Sequence, residues 1–465
     1  MTENPAQRST SETTPQTGNQ AGDQAGTSGR DAAAIAGGPL RQAVIIGGNR
    51  TPFARSHGAY AKASNKDLLT SALDGLVARF GLQGERIGEV AAGAVIKHSK
   101  DFNLTRESVL GTALDAATPA HEVQIACATG MEAIGGLANK IRLGQLDSAI
   151  GGGVDSISDA PLVFNDAARA MFMELNRARS TQEKIKAVLK FRPGHLAPQA
   201  PGTEEPRTGM SMGEHQARTT HRWGITRKAQ DELALASHQN LAAAYERGFF
   251  DDLITPFGSL SQDNNMRADS TLEKLGSLKP AFGRDLGDEA TMTAGNSTPL
   301  TDGASAVLLG SEEWAAARGL PVLADFVDFE TAAVDFVDGD EGLLMSPAYA
   351  VSRLLKRQGL SLQDFDYYEI HEAFAGTVLS TLKAWEDEDF CRNRLGLDAP
   401  LGSIDRSKLN VNGSSLAAGH PFAATGGRIT AVLAKMLHEK GPGSLGLISV
   451  CAAGGQGIVA IVRGR

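Results

Sequence analysis

After residue 40 the chain alternates between short apolar runs and longer stretches with helical spacing. Arg41-Gln-Ala-Val-Ile-Ile-Gly-Gly is an apolar run of strand length closed by turn residues. Leu68–Phe80 has apolar positions three and four residues apart, which predicts a helix, and Glu89–Ile96 predicts a short strand. Another strand is predicted at His121–Ala126, running straight into Cys127. Met131, Ile134, Leu137, Ala138 and Ile141 then predict a helix. Ser148–Ile150 leads into Gly151-Gly-Gly, a strand that ends in close packing or a turn. Asp366–Ile370 and Leu447–Cys451 also read as strands, and Ile429, Val432, Leu433 and Met436 as a helix. This alternation predicts a mixed α/β architecture.

Two regions break the pattern. Residues 1–40 are rich in Ser, Thr, Gln, Gly, Pro and Ala and nearly lack large apolar side chains. Such a segment cannot bury enough surface to offset its ordering entropy, so a disordered tail is predicted. It has neither the basic start nor the apolar stretch of a secretory signal. Residues of about 160–290 contain long irregular stretches rich in Pro, Gly and charge, which predicts an inserted loop domain covering something.

A weak internal repeat organises the rest. Arg79, Gly81-Leu82 and Ile87 align with Arg357, Gly359-Leu360 and Phe365, each copy being a helix end, a glycine cap and a strand. The prediction is two similar halves, residues 41–315 and 316–465, with the insertion in the first and a site between them.

Composition narrows the function. The 45 basic and 54 acidic residues give a net charge of −9, against a nucleic-acid binder that relies on a general positive field. No uninterrupted apolar run approaches the length of a transmembrane helix. Three cysteines, without a CxxC pair, make neither a disulfide scaffold nor a zinc ribbon and read as cytoplasmic thiols.

Each thiol is either core filler or a nucleophile. Cys127 sits where a strand gives way to a helix, where unpaired N–H groups favour thiolate. Buried packing is the competing reading. His420, flanked by Gly419 and Pro421 at the start of a predicted helix, is placed to approach a ligand as a general base, or merely to cap the helix. Cys451 ends a strand and opens Ala452-Ala-Gly-Gly-Gln-Gly, which is either a ligand-facing turn or a simple hairpin turn. His371 opens His-Glu-Ala-Phe-Ala, and the absence of a His at 375 removes the zinc reading. Cys391, among charged neighbours, reads as incidental.

Taken jointly, Cys127-Ala-Thr-Gly, His371-Glu-Ala-Phe-Ala, Asn412-Gly…Gly419-His420-Pro and Cys451-Ala-Ala-Gly-Gly-Gln-Gly resemble the thiolase family over nearly all of the chain after residue 40. His371, where many members have Asn, and the loop starting at Gln262 are similar to the β-subunit of fatty-acid oxidation multienzyme complexes. The resemblance implies a five-layered αβαβα fold of two duplicated halves. It implies an acetyl-CoA acyltransferase that cleaves 3-oxoacyl-CoA with free CoA, or runs the reverse condensation. CoA is then a co-substrate, with no permanently bound cofactor and no metal. Cys127 is implied as nucleophile, His420 as its base and Cys451 as acid/base. The N–H groups of Cys127 and Ala453 are implied as one oxyanion hole, and His371, through a water, with His420 as a second. Ser211, Met212 and Thr298 match positions that line the substrate tunnel, Thr298 replacing a Ser. A homodimer or homotetramer is implied, with a hydratase/dehydrogenase subunit as a further partner. A decarboxylating ketosynthase and a non-catalytic lipid carrier are the competing functions; Cys451 speaks against the first and the intact Cys–His–His–Cys set against the second.

Overall fold

The computed structural model describes residues 40–465, so the tail expected over 1–40 lies, apart from Leu40, outside them. The first half begins with β1 (Ala43–Arg50), α1 (Asn65–Phe80), β2 (Glu89–Ala92), α2 (Leu104–Leu110), β3 (Ala120–Glu122), α3 (Thr129–Arg142) and β4 (Ser148–Asp155). A largely helical stretch follows, with α4 (Asp166–Arg177), α5 (Thr181–Val188), α6 (Met212–Arg222) and α7 (Arg227–Glu246), before β5 (Thr301–Ser311). The second half contains β6 (Ala324–Ala333), α8 (Ser346–Gln358), β7 (Tyr367–Ile370), α9 (Ala375–Glu386), α10 (Thr425–Lys440), β8 (Leu445–Ala452) and β9 (Gln456–Gly464).

The repeat is visible in the topology. The first half orders its strands β3-β2-β4-β5-β1, the second β7-β8-β9-β6. In each, the first βαβ pair is parallel (β2 with β4, β7 with β8) and the later pairings are antiparallel. The missing counterpart of β3 survives as a single parallel bridge between Tyr368 and Leu409. The aligned glycines do the same work twice: Gly81 (φ 64°) and Gly359 (φ 65°) end α1 and α8 in the left-handed conformation that glycine adopts without steric cost. The halves meet where β1 pairs with β6, Val44 opposite Asp325 and Ile45 opposite Ala324.

Three apolar clusters define the layers. One packs α1 against one face of the first sheet through Leu68, Leu69, Leu76, Val44, Ile46 and Ile150. Another packs α8 and α9 on the second sheet through Val351, Leu354, Val378, Leu447 and Ile461. Between the sheets lie α3 and α10, whose Ile134, Ile141, Ile429 and Leu433 meet Val307, Leu309, Val450 and Ile458. The result is the αβαβα sandwich.

Several local expectations change. The strand predicted over His121–Ala126 is only Ala120–Glu122, because Ala126 adopts φ 45° and turns the chain ahead of Cys127. Gly151-Gly-Gly does not end a strand but lies inside β4. Side chains there would collide with neighbours: a Cβ on Gly152 would stand 2.1 Å from Ser305 O, and on Gly153 2.2 Å from Ala423 O. These glycines are therefore explained by packing within one chain. Pro421 is not in the first turn of α10, since a 3-10 turn over Phe422–Ala424 intervenes. The 160–290 stretch holds the helices α4 to α7 as well as irregular segments.

Gly153→Ala is expected to lower unfolding stability by about 1–3 kcal/mol, because the added methyl pushes against the carbonyl and Cβ of Ala423, neither of which can swing away. Gly136→Ala, in α3 with nothing within 4 Å, should instead be neutral or stabilising by up to about 1 kcal/mol. Thermal and urea unfolding of the two variants check the contrast.

Candidate active site

The two central helices each deliver one chemical group from the loop before them. Cys127 stands one residue outside the N-cap of α3. Its turn is held by Thr129, whose hydroxyl accepts from Ile125 N (2.9 Å) and donates to Ala126 O (2.7 Å). That side chain fixes a left-handed alanine, a conformation costing on the order of 1–3 kcal/mol that surrounding structure must enforce. His420 precedes α10, and its own N–H donates to Thr301 Oγ1 at 2.7 Å. The two loops touch backbone to backbone. A Cβ on Gly130 would lie 2.7 Å from Ala423 O, and Asp155, at the end of β4, accepts from Ala423 N (2.8 Å) and Ile96 N (2.8 Å).

Cys451 enters from the second sheet, near the end of β8, followed by a turn in which Gly454 and Gly455 adopt φ 76° and 71°. The Ala453 N–H, in that turn, bears on the Cys127 sulfur together with the N–H of Cys127 itself. The second thiol feels the first: Cys127 pushes the Cys451 pKa up, beyond the rise caused by burial. His371 follows β7, its N–H bonded to Ser449 O at 2.8 Å, two residues from Cys451. The His371 and His420 rings lie 4.1 Å apart between centroids, tilted by 44°. Their Nδ1 atoms are held by Ser415 Oγ (2.8 Å) and Thr425 Oγ1 (2.6 Å), whereas both Nε2 atoms are buried without a partner.

Burial sets the resting charges. The Cys127 thiol is pushed up to about 12 by desolvation, which outweighs the two backbone N–H groups that oppose it. The thiolate expected from the helix terminus is therefore corrected: desolvation holds Cys127 as the neutral thiol at rest. His420 is lowered to about 3 by burial and by the Arg428 guanidinium, so it rests as neutral imidazole. His371 is likewise held well below its ordinary value, first by burial and then by His420 and Arg428.

Side chains that sequence reasoning missed support this set. Glu372 accepts from Ser237 Oγ (2.7 Å), Asn410 Nδ2 (2.8 Å) and Leu416 N (3.1 Å), tying α7 to the loops around His371. Arg428 donates to Ser414 Oγ and Ser415 Oγ at 3.1 and 3.0 Å. Glu372 stands beside His371 in a quoted motif, yet only the fold shows which loops it joins. The proposed tunnel positions are placed as follows. Ser211 caps α6 in a capping box with Glu214, and Met212 packs on the apolar cluster that contains Cys451. Thr298 donates its hydroxyl to Ser415 O at 2.7 Å, beside the His371 support. Cys391 is buried in a short helix and bonds to Ala384 and Trp385 carbonyls, remote in role from these groups. No cluster of potential metal ligands occurs among the described residues.

A cavity of about 390 Å³ adjoins the site at Leu416 and Ser297. Arg55, Arg267 and Lys274 line it; Lys274 pairs with Asp269, whereas neither arginine has a carboxylate partner among the described residues. Nothing in the residue pattern brought Arg55 and Arg267 together, since over 200 residues of chain separate them.

The sequence profile described as Thiolase, N-terminal domain matches residues 43–313, and Thiolase, C-terminal domain matches 320–464. The chain belongs to the thiolase family. It is 40% identical to a 3-ketoacyl-CoA thiolase of Yersinia pestis over 426 residues, 90% of this chain and 96% of that one. Among solved structures, this thiolase resembles the Bacillus anthracis acetyl-CoA acetyltransferase with a TM-score of 0.75 and 30% identity, covering 92% of this chain and all of that one. It also resembles human mitochondrial 3-ketoacyl-CoA thiolase in complex with CoA, with a TM-score of 0.74 and 27% identity over 92% and 98% of the two chains. The chain is thus an acyltransferase of the thiolase type.

The depressed His420 pKa has a direct kinetic consequence. A base with pKa near 3 stays unprotonated as pH falls through 6.5, where a solvated imidazole would gain its proton. Acylation of Cys127 by acetyl-CoA, followed in single turnover by mass spectrometry, should stay flat from about pH 7.5 to about pH 5. A fall centred near 6.5 would mean that the imidazole is solvated.

Proposed function

We propose that this thiolase cleaves 3-oxoacyl-CoA with free CoA, giving acetyl-CoA and a shortened acyl-CoA, and catalyses the reverse condensation at the same site. The convergence of two thiols and two neutral imidazoles with unpartnered Nε2 atoms carries this reading. Cys127 is the nucleophile. As its sulfur attacks the 3-keto carbon, His420 Nε2 takes the thiol proton. The N–H groups of Cys127 and Ala453 receive the oxyanion, each such donor contributing about 3–4 kcal/mol in comparable sites. Collapse breaks the C2–C3 bond and sends its electron pair to acetyl-CoA as an enolate. Cys451 gives that carbon its proton and becomes a thiolate, which then removes the proton of the incoming CoA thiol. CoA attacks the acyl group, and Cys127 leaves as a thiolate that His420 reprotonates.

His371 and His420 form the second oxyanion hole, around the thioester oxygen that carries the enolate charge. Ser415 supports this assignment. Its hydroxyl accepts from Arg428 and lies 2.8 Å from His371 Nδ1; with the hydroxyl proton given to Nδ1, the His371 proton stays on Nε2, aimed into the site as a donor. Ser211, Met212 and Thr298 line the substrate path, and the arginine-lined cavity supports binding of the anionic portion of CoA, the co-substrate. No permanently bound cofactor takes part in this scheme.

The same proposal includes the assembly and setting of the enzyme. Residues 41–315 and 316–465 are taken as the two domains, about 160–290 as the insertion and 1–40 as a tail. A homodimer or homotetramer is supported by family membership and by β3, a short edge strand beside α2 with Phe102 82% exposed nearby. Association with a hydratase/dehydrogenase subunit follows from the likeness to multienzyme β-subunits. Three free thiols support the cytoplasm. No helix among the described residues is long and apolar enough to cross a membrane.

Two substitutions separate the thiols. Cys127→Ala should abolish turnover and remove the acetyl adduct found by intact mass; an adduct on Cys391 or Cys451 would refute the nucleophile. Cys451→Ala should keep acylation by a simple acyl-CoA, because a thiolate leaving group needs little help. Carbon–carbon cleavage should fall by about 10²–10⁴-fold, the usual contribution of a general acid. Equal loss of both steps in a folded Cys451→Ala protein would make that residue structural.

A further inference from the structure

Glu369 is a buried acid that the reaction scheme does not use. It lies on β7, two residues before His371, and is fully buried. Its neighbours Tyr368 and Ile370 belong to the outer cluster beneath α8 and α9. By strand alternation Glu369 points the other way, into the layer of α10 and of Ile448, its register partner on β8. Neither of its carboxyl oxygens has a hydrogen-bond partner among the described residues. A buried carboxylate needs donors, so nothing around Glu369 selects its charged form. Burial, opposed by the Arg428 charge and reinforced by Glu372, pushes its pKa up to about 8.

Few charges face it. Arg428 comes from α10 and Glu372 from the loop after β7, while β8 presents the apolar Ile448. At the exposed end of the strand, Lys440 and Asp366 pair with each other. Behind Arg428 stands the balanced pair of Arg50 and Asp263. Burial raises Glu372, but its oxygens accept from three donors, which favour the carboxylate. With Glu369 uncharged, Arg428 and Glu372 offset one another. The guanidinium then bonds Ser414 and Ser415, and Ser415 meets His371 Nδ1. Arg428 Nε, also buried, has no partner among the described residues. An ionised Glu369 is a stronger acceptor for the guanidinium than either serine hydroxyl. It also sets uncompensated negative charge behind His371, where cleavage creates the enolate.

We propose that Glu369 is a positioning residue of the second oxyanion hole, which is competent only while this carboxyl is uncharged. Uncharged, it leaves Arg428 on Ser415 and Ser415 on His371. Ionised, it draws the guanidinium away and opposes the enolate. Glu369 touches no substrate atom and passes no proton to one. This role rests on the carbon–carbon cleavage and the second oxyanion hole proposed above.

Two half-reactions of the full chain, followed in single turnover without free CoA, test the proposal. Cleavage of a 3-oxoacyl-CoA creates the enolate, whereas acylation of Cys127 by acetyl-CoA does not. Each is measured from about pH 6 to about pH 9.5 for the wild-type protein and for Glu369→Gln, a range that spans the titration of a carboxyl raised by burial. The ratio of wild-type to variant rate cancels the titration of substrate and of both thiols. For cleavage this ratio should fall on the order of tenfold as pH rises through about 8, the scale on which one nearby charge acts on another group. For acylation it should stay constant. The infrared difference between the two proteins should show a protonated carboxyl at the acid end of the range that is gone at the alkaline end. A cleavage ratio independent of pH overturns the proposal. So does an equal change in both half-reactions, which would make Glu369 structural, or a carboxylate already formed at the acid end. Glu369→Leu removes the same charge and leaves no polar atom to satisfy, so it supplies the ratio should Glu369→Gln fail to fold. A wild-type protein that is acylated but cleaves nothing would refute the proposed thiolysis itself; cleavage with a flat ratio refutes the role of Glu369 alone.

Discussion

The site depends on one contact: the backbone of the His420 loop lying directly against the start of α3 and the end of β4. Gly130 and Gly153 permit it, because any side chain at either position would enter the space of Ala423 O. Asp155 closes it from below by accepting the Ala423 N–H. Side chains are shut out of that seam, and the Cys127 and His420 groups beside it are desolvated. The raised thiol and the depressed imidazole both follow from the same exclusion of solvent.

This changes how the nucleophile is understood. A helix N-terminus favours a thiolate when solvent is at hand, and that effect is of the order of 1 kcal/mol. Desolvation of the thiol is larger and has the opposite sign. Cys127 is therefore stored as a thiol, and its proton moves to a neutral His420 as the carbonyl is attacked. Neither partner carries charge before substrate arrives, so no ion pair need be broken to begin the reaction. Held by Ser415 and Thr425, the two imidazoles lose no orientational freedom at that moment.

Much of this was legible in the residue order. Helical spacing located α1 and α3, and the matched glycines at 81 and 359 revealed the duplicated halves that the strand orders repeat. The four motif blocks named the groups of the candidate site. What stayed hidden has physical causes. The strand at β3 was expected, but at three residues it is too short for alternation to fix its ends. Gly151–Gly153 looked like the end of a strand because the atoms that exclude their side chains belong to other elements, Ser305 O and Ala423 O lying more than 150 residues away in the chain. Burial could not be read from Cys127 and its neighbours, so the local dipole was given a weight that the fold removes. Glu372 and Arg428 act by joining distant loops, a property of the folded chain alone.

The protonation state of Cys127 is the most direct test of a desolvated seam. The far-ultraviolet absorbance of thiolate should be recorded against pH for the wild-type protein and for Cys127→Ala, and the difference assigned to Cys127. With the thiol pushed up to about 12, no difference band is expected at pH 7 and none until well above pH 9. A band already complete near pH 7 would show a stored thiolate and contradict the account.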